Sequence, residues 1–577
     1  MYEVVVGIDF GTSGTGYAFS YKNPNDIILG KFPDQGVDMK VPTQIILDSK
    51  LEKVLAFGGK CKEYIDDNQL NDGELYFKSI KMNLYHNKTT LMPENSSTSY
   101  QLIEVIAKIL EYVKGIAFST IHKSKPKITE NQIKWVVTVP AIWDYSQKGL
   151  MVQACEKAGL FNENTTRVNC FALEAEAASL YCSQDETIDL DYIKNGKSYI
   201  LCDLGGGTGD IITHKKELNG KVTEIYPSIG GDYGSEEIDK QIYDKVIYKI
   251  FGFKNYSDLK KRNEEIGSPC NEDILFTEWM NLNEEIQKKK KLSKDSINKT
   301  FSLNCQLFEH FTNNISLQDL VDKYNSECPK SWEIQIKTKW WLNIPYIIFF
   351  DLINEHAKKI SNLLSKIYQK VSNIESIIYV GGYSSNEILI SKIKSDFENL
   401  VHLNPSRPII AVVKGAVLFG LNPEIINIRK APYTIGFNSD HIWDDNIHGG
   451  IGQKYYDYIF NIFKCQNCFD KFIEIGQDLY LGQTITRDFI AMNPRYIILK
   501  FFKTKKANPI LYTEDNVELL GQDYLDLGRD YPINERDFKV IMEFGGTYVE
   551  AKCIHNKSQI EKNIKLYFNK NNNLNIL

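Results

Sequence analysis

The chain has 577 residues, too many for one hydrophobic core, so two or more domains are expected. Hydrophobic residues are 43% and charged residues 25%, an ordinary globular balance. A formal net charge of −6 argues against a dedicated nucleic-acid binder, which would carry a basic surplus.

The first residues run directly into a β-branched stretch, with no basic segment followed by an apolar one, so no secretory signal is expected. Val4 to Ile8 reads as a buried strand that ends in Asp9-Phe10-Gly11-Thr12-Ser13-Gly14-Thr15-Gly16. Tyr17 to Tyr21 reads as a second strand, which makes the glycine-rich segment a hairpin turn. Leu102, Val105, Ile106, Ile109, Leu110 and Val113 fall at helical spacing and predict an amphipathic helix over Gln101 to Thr120. Ile133 to Val139 is a strand stopped by Pro140; Asp144 or Ser146 caps a helix that runs to Ala158, with Gly159 as its stop.

A short strand over Val168 to Phe171 precedes a helix over Glu174 to Tyr181. Ser198 to Cys202 is a strand ending in Asp203-Leu204-Gly205-Gly206-Gly207-Thr208-Gly209-Asp210, and Ile211 to His214 is its hairpin partner. Helices are predicted over Ser235–Ile250, Asp273–Leu292 and Tyr346–Val371. The apolar run Trp340 to Phe350 is too short to span a bilayer and contains Asn343 and Pro345; it reads as a loop leading into a buried helix. Ser376 to Val380 is a strand that meets Gly381-Gly382.

Strands and helices mix throughout residues 1–425, which predicts an α/β class. From about residue 430 the texture changes to short alternating strands, such as Tyr496–Phe502 and Phe538–Phe544, and a small β-rich domain is expected. The 11 scattered cysteines fit reduced cytosolic thiols better than a disulfide framework. Cys465 and Cys468 have the spacing of a zinc half-site, but there is no second Cys-x-x-Cys and no His-x-x-x-His. Two ordinary thiols near a helix start is the preferred reading.

The two glycine-rich turns share one design: strand, Asp, apolar residue, Gly-rich turn, Thr. They lie about 190 residues apart, which suggests two related lobes facing each other. Glycines let a backbone approach a phosphate without a Cβ clash, and successive N–H groups make an anion-binding nest. Thr12, Ser13 and Thr208 add hydroxyl donors. Asp9 and Asp203, at the strand ends, are placed to hold a hydrated Mg2+ through water. The reaction this implies is in-line attack of water on a γ-phosphate. No G-x-x-x-x-G-K-[ST] is present, so the P-loop class is not supported. Gly205 to Gly209 precedes a strand rather than a helix, which disfavours a Rossmann reading.

With these residues the chain resembles the 70-kilodalton heat-shock protein family of the actin-like ATPase superfamily. Asp9 to Ser13 resembles its first phosphate loop, Val137 to Trp143 its Val-Pro-Ala segment, Asp203 to Asp210 its second phosphate loop, and Val380-Gly381-Gly382 its adenosine-side turn. The match covers residues 1–425. It is strongest to the divergent heat shock 70 kDa protein 12-like branch, through Leu173 to Ser179, Lys414 to Pro423, Ala431 to Gly436 and Phe469 to Phe472.

The resemblance implies a two-lobed actin-like ATPase of duplicated ribonuclease H-like lobes, at 1–190 and 191–425, with a short β-rich C-terminal domain at 426–577. It implies ATP/ADP and Mg2+ as ligands, with Asp9 and Asp203 around the metal, Glu174 orienting water, and Asp210 as the second loop's closing aspartate. The catalytic lysine falls at Lys81 in preference to Lys78. Phosphate contacts fall at Gly11, Thr12, Ser13, Gly14, Gly205, Gly206, Gly207 and Thr208. Adenosine contacts fall at Lys289, Lys290, Ser293, Gly381, Gly382 and Tyr383, although the lysine run also reads as a solvated helix face.

The family's Asn-Glu-Pro segment appears here as Leu173-Glu174-Ala175, so turnover is expected to be slow. The tail of about 150 residues is too short for a full peptide-binding sandwich with a helical lid. The function expected is an ATP-binding, slowly hydrolysing, chaperone-like protein whose nucleotide state governs a protein client. It is expected to be cytoplasmic and monomeric, with no transmembrane segment and no nucleic acid. A nucleotide-gated adaptor or scaffold without significant turnover is the alternative. A small-molecule kinase on the same fold is a third, for which no residue marks a site.

Overall fold

The computed structural model describes residues 2–33, 40–68, 70–161, 170–265, 270–290, 294–305, 315–547 and 549–566. Val4–Phe10 forms a strand with every residue buried; the apolar run Val4 to Ile8 suits a strand covered on both faces. It pairs antiparallel with Gly14–Ser20, setting Asp9 opposite Gly16. It pairs parallel with Ile133–Val139, which in turn lies parallel to Cys170–Leu173. Helix Leu102–Ser124 covers one face of this sheet with the apolar stripe that the sequence predicts. Helix Tyr145–Lys157 starts at a capping box, in which Asp144 accepts from the Ser146 and Gln147 N–H groups and Gln147 accepts from Asp144 N–H. Gly159, at φ +66°, ends it.

A second, seven-stranded sheet repeats this order of pairings. Ser198–Leu204 pairs antiparallel with Gly209–Lys216, setting Asp203 opposite Asp210, and Ile374–Val380 runs parallel to Ser198–Leu204. Helices Glu174–Cys182 and Ala411–Leu421 cross between the two sheets at very short range. A Cβ on Gly415 would lie 1.7 Å from the Ala177 carbonyl oxygen, so only glycine fits this crossing. Ile426–Lys430 adds to the second sheet parallel to Val222–Gly231, and Asp478–Tyr480 adds beyond it.

The strands from Thr434 onward, apart from Asp478–Tyr480, form a five-stranded and a four-stranded antiparallel sheet around their own apolar cluster. Phe437, Phe501, Val540 and Met542 lie at its centre, on alternating strand positions.

Three local expectations need correction. Trp341–Pro345 is a strand rather than a loop, because Leu342 and Ile344 alternate inward and pair it with Thr300–Asn304. Helix Ile347–Lys370 follows it. The helix over 235–250 is interrupted by one wider π turn at Tyr243–Ile247. Cys465 and Cys468 stand in the long strand Ile462–Ile473, not near a helix start. Val168 and Ser293 lie outside the described residues. All 11 cysteines are free thiols. Among the described residues, no helix is long and apolar enough to cross a membrane.

Candidate functional site

The equivalent strand ends of the two sheets bring four carboxylates into one buried region. Asp9 and Asp203 end the two first strands, Asp210 starts the second hairpin arm, and Glu174 opens its helix directly after a strand. All four are buried. Thr138 donates to Asp9 Oδ1 at 3.2 Å, and the Ile142 N–H donates to Asp210 Oδ1 at 3.0 Å. The Val-Pro-Ala segment thereby holds one carboxylate from each turn.

Burial pushes the Glu174 carboxyl up to about 7, with Lys81 opposing and Asp9 and Asp210 adding to the rise. Burial also lifts Asp203 well above the usual carboxylate range, reinforced by Glu174 and Asp210 and opposed by Lys40. Asp210 is raised by burial against the pull of its Ile142 N–H bond. Four clustered carboxylates, offering oxygen donors only, with Glu174, Asp203 and Asp210 disfavoured as anions by burial, suit a hard dication.

Two lysines enter this region. Lys81, on helix Ile80–Tyr85, is buried and forms an ion pair with Glu174, while Lys78 pairs with Glu94 at 3.3 Å nearer the surface. Lys40 forms an ion pair with Asp9. Burial works against the Lys40 charge, but Asp9, then Asp203 and Glu174, hold its pKa above the ordinary lysine value. Lys40 is absent from the sequence expectations. A single lysine in the mixed segment Val37-Asp38-Met39-Lys40-Val41 carries no periodic signal. Thr43 was also missed; its hydroxyl donates to the Gly11 carbonyl at 2.7 Å and braces the first turn.

The two turns touch each other. A Cβ on Gly206 would lie 1.6 Å from Ser13 Oγ, and one on Gly207 would lie 2.7 Å from Thr12 Oγ1 and 2.3 Å from Met82 Sδ. Ser13 also donates to Glu236 at 3.1 Å. Gly11 makes its own turn tight, because a Cβ there would meet the Gly14 carbonyl oxygen at 2.4 Å. Thr208 is buried between the turns and the Gly205 N–H donates to its carbonyl at 3.1 Å.

Gly381 takes φ +83° beside Asp203, and a Cβ there would meet the Leu204 carbonyl oxygen at 2.4 Å and Asp203 Oδ1 at 2.6 Å. Gly382 faces open space, and the Tyr383 ring stacks on His356. Lys290 reaches back to Asp239 and donates to the Ser235 carbonyl at 3.2 Å, whereas Lys289 ends its helix without joining them. Ser293 lies outside the described residues.

The site is wired to the C-terminal sheets. Arg429 is buried against Glu176, two residues beyond Glu174. Lys503 donates to Asp144, the cap of the helix behind the Val-Pro-Ala segment, at 2.8 Å.

No protein-family model matches the chain. It is 26% identical to heat shock 70 kDa protein 12A of Homo sapiens, over 96% of its own length and 89% of that protein's. It is 23% identical to heat shock 70 kDa protein 12B of Homo sapiens over the same shares. Chaperone protein DnaK of Mesomycoplasma hyopneumoniae (strain 232) is 24% identical over 76% of this chain and 62% of that protein.

Proposed function

Taking this chain as a homologue of the 70-kilodalton heat-shock proteins, related over almost its whole length to heat shock 70 kDa proteins 12A and 12B, we propose that it binds ATP with Mg2+ between its two aspartate turns and hydrolyses it slowly. The observation that carries this reading is the buried set Asp9, Glu174, Asp203 and Asp210 at the facing ends of two alike sheets, with Lys81 paired to Glu174. We read residues 1–190 and 191–425 as the two actin-like lobes and 426–577 as the domain they govern. The protein is a cytoplasmic monomer in this reading.

The residues divide the work by chemistry. Backbone N–H groups of Gly11 to Gly14 and Gly205 to Gly207 take the phosphates, with the Thr12, Ser13 and Thr208 hydroxyls. Asp9 and Asp203 would hold Mg2+, which when bound would offset charge on the phosphate oxygens. Glu174, held up to about 7, orients the attacking water and accepts its hydrogen bond. Lys81 fixes the Glu174 carboxylate. Water attacks the γ-phosphorus, the bond to the bridging oxygen breaks, and ADP and phosphate leave. The turns must part to admit phosphates, since Ser13 lies against Gly206. Glu176–Arg429 and Asp144–Lys503 then carry that movement to the C-terminal sheets, where a protein client binds.

One observation favours a second reading, a nucleotide-gated adaptor with little turnover. Lys40 already supplies a cation to Asp9, and it competes with Mg2+ for that carboxylate. Calorimetric titration of ATP with and without Mg2+, into the wild type and Asp203→Asn, followed by a phosphate-release assay, separates the two. Binding with slow, Mg2+-dependent release that the variant loses supports the ATPase. Binding without release supports the adaptor, and absence of binding overturns both.

A further inference from the structure

The geometry points to a structural zinc site in the five-stranded sheet of the C-terminal region, formed by His441, His448 and Cys468 with Cys465 beside them. It shares no residue with the carboxylate turns and stands independently of the nucleotide reading.

Ligand atoms of His441, His448 and Cys468 all lie within 4.8 Å of one another, the one such group among the described residues. They come from three elements: strand Thr434–Ile442, the short helix Asp445–His448 and strand Ile462–Ile473. Antiparallel pairing sets His441 opposite Cys465 and Ser439 opposite Cys468. Residues three apart on a regular strand point to opposite faces. Here Asn467 takes φ +63° and the register shifts between Ser439 and His441, a β-bulge that lets both thiols be buried. Asp440 holds that bulge by accepting from the Asn467 N–H at 3.2 Å.

His448 Nε2 is 3.9 Å from Cys468 Sγ. The Cys465 sulfur borders the same space, since a Cβ on Gly452 would lie 2.6 Å from it and 3.0 Å from His448 Cβ. Asp470 Oδ2 stands 3.6 Å from His441 Nε2, the carboxylate–imidazole pairing that orients ligand histidines. The His448 Nδ1 accepts from the Asp444 N–H at 3.0 Å. Ligation through Nε2 needs the proton on Nδ1, so that bond gives way as the ion enters.

Two nitrogens and a sulfur within 4.8 Å of one another suit zinc over magnesium or calcium, which take oxygen. A structural ion also has a task here. The two cysteines and Leu511, with Trp443 and Ile510, form a small apolar cluster separate from the main core of these sheets. So few apolar groups stabilise this part of the sheet weakly, and a metal replaces the missing core.

The test uses the full-length chain, reduced and stripped, then reloaded with zinc or with Co2+. The expected result is one zinc per chain by elemental mass spectrometry. With Co2+, the visible bands of tetrahedral cobalt appear with a thiolate charge-transfer band. Cys468→Ser removes that band, and His448→Asn and His441→Asn each weaken zinc at least tenfold. His441 is half-exposed, so its variant remains informative if the buried variants fail to fold. No stoichiometric metal on the reduced wild type overturns the site. So does zinc bound with unchanged affinity in His441→Asn. A Cys465–Cys468 disulfide in air, in a chain that when reduced takes no metal, overturns it in favour of a redox pair.

Discussion

Arg429 holds Glu176 with two parallel bonds, Nε and Nη2 each donating to one carboxylate oxygen at 2.7 Å across 253 residues of sequence. Its third nitrogen, Nη1, donates to the Gly545 carbonyl in the C-terminal sheets. One side chain therefore bridges the helix that begins at Glu174 and the far end of the chain. Removing one partner from a buried pair leaves the other charged without compensation. Arg429→Met is expected to cost about 3–5 kcal/mol in urea unfolding. Adding Glu176→Gln should recover part of that loss, and a double variant no better than the single one would remove the pair from this role.

Lys503 and Asp144 make a second link, between the C-terminal sheets and the capped helix behind the Val-Pro-Ala segment. Asp144 keeps its capping bonds to Ser146 and Gln147 without Lys503. Lys503→Met should therefore leave that helix folded and lower stability by about 1–3 kcal/mol. ATP-dependent changes in hydrogen exchange over Thr434–Ile442 should shrink in this variant. Unchanged exchange differences would exclude this route of coupling.

The contact between the turns predicts a steric result. Gly206→Ala sets a methyl where Ser13 Oγ now lies. ATP affinity measured by calorimetry should fall at least tenfold, because the backbone can no longer approach a phosphate. Pairing it with Ser13→Gly should restore folding stability to near that of Ser13→Gly alone, as the clash is then gone.

Glu174→Gln keeps the shape of the side chain and removes its charge. Turnover in single-cycle phosphate release should drop about 100-fold or more, with ATP binding retained. Loss of binding together with turnover would assign Glu174 to holding the site rather than to orienting water.

His214 gives a pH signature. It is buried, with Ser179 Oγ 3.2 Å from Nδ1, and burial pushes its pKa down from 6.5 to about 4, with Glu176 opposing and Arg429 reinforcing. The folded chain keeps this ring neutral while the unfolded chain takes up a proton. Its contribution is thus complete above pH 6.5 and is lost as pH falls toward 4. His214→Gln should flatten the acid loss of stability in that window, by about 3 kcal/mol at the lower end. An equally steep profile would point to other groups.

The strands that end in Asp9 and Asp203, their glycine-rich turns, and the capped helix at Asp144 were all legible in the sequence. Each is a local matter: a run of apolar residues long enough for one strand, glycines where the turn has no room for Cβ, and a side chain that satisfies its own helix start. The resemblance to a known family added Glu174 and Lys81, which no local pattern marks. What only the tertiary structure decided are the pairings between distant residues. Lys40 meets Asp9, Arg429 meets Glu176, and His441 and His448 meet Cys468, because sheet register and helix crossings set which side chains share a space. Burial then turns these meetings into chemistry, since a charge or thiol taken out of water is governed by the few partners within reach.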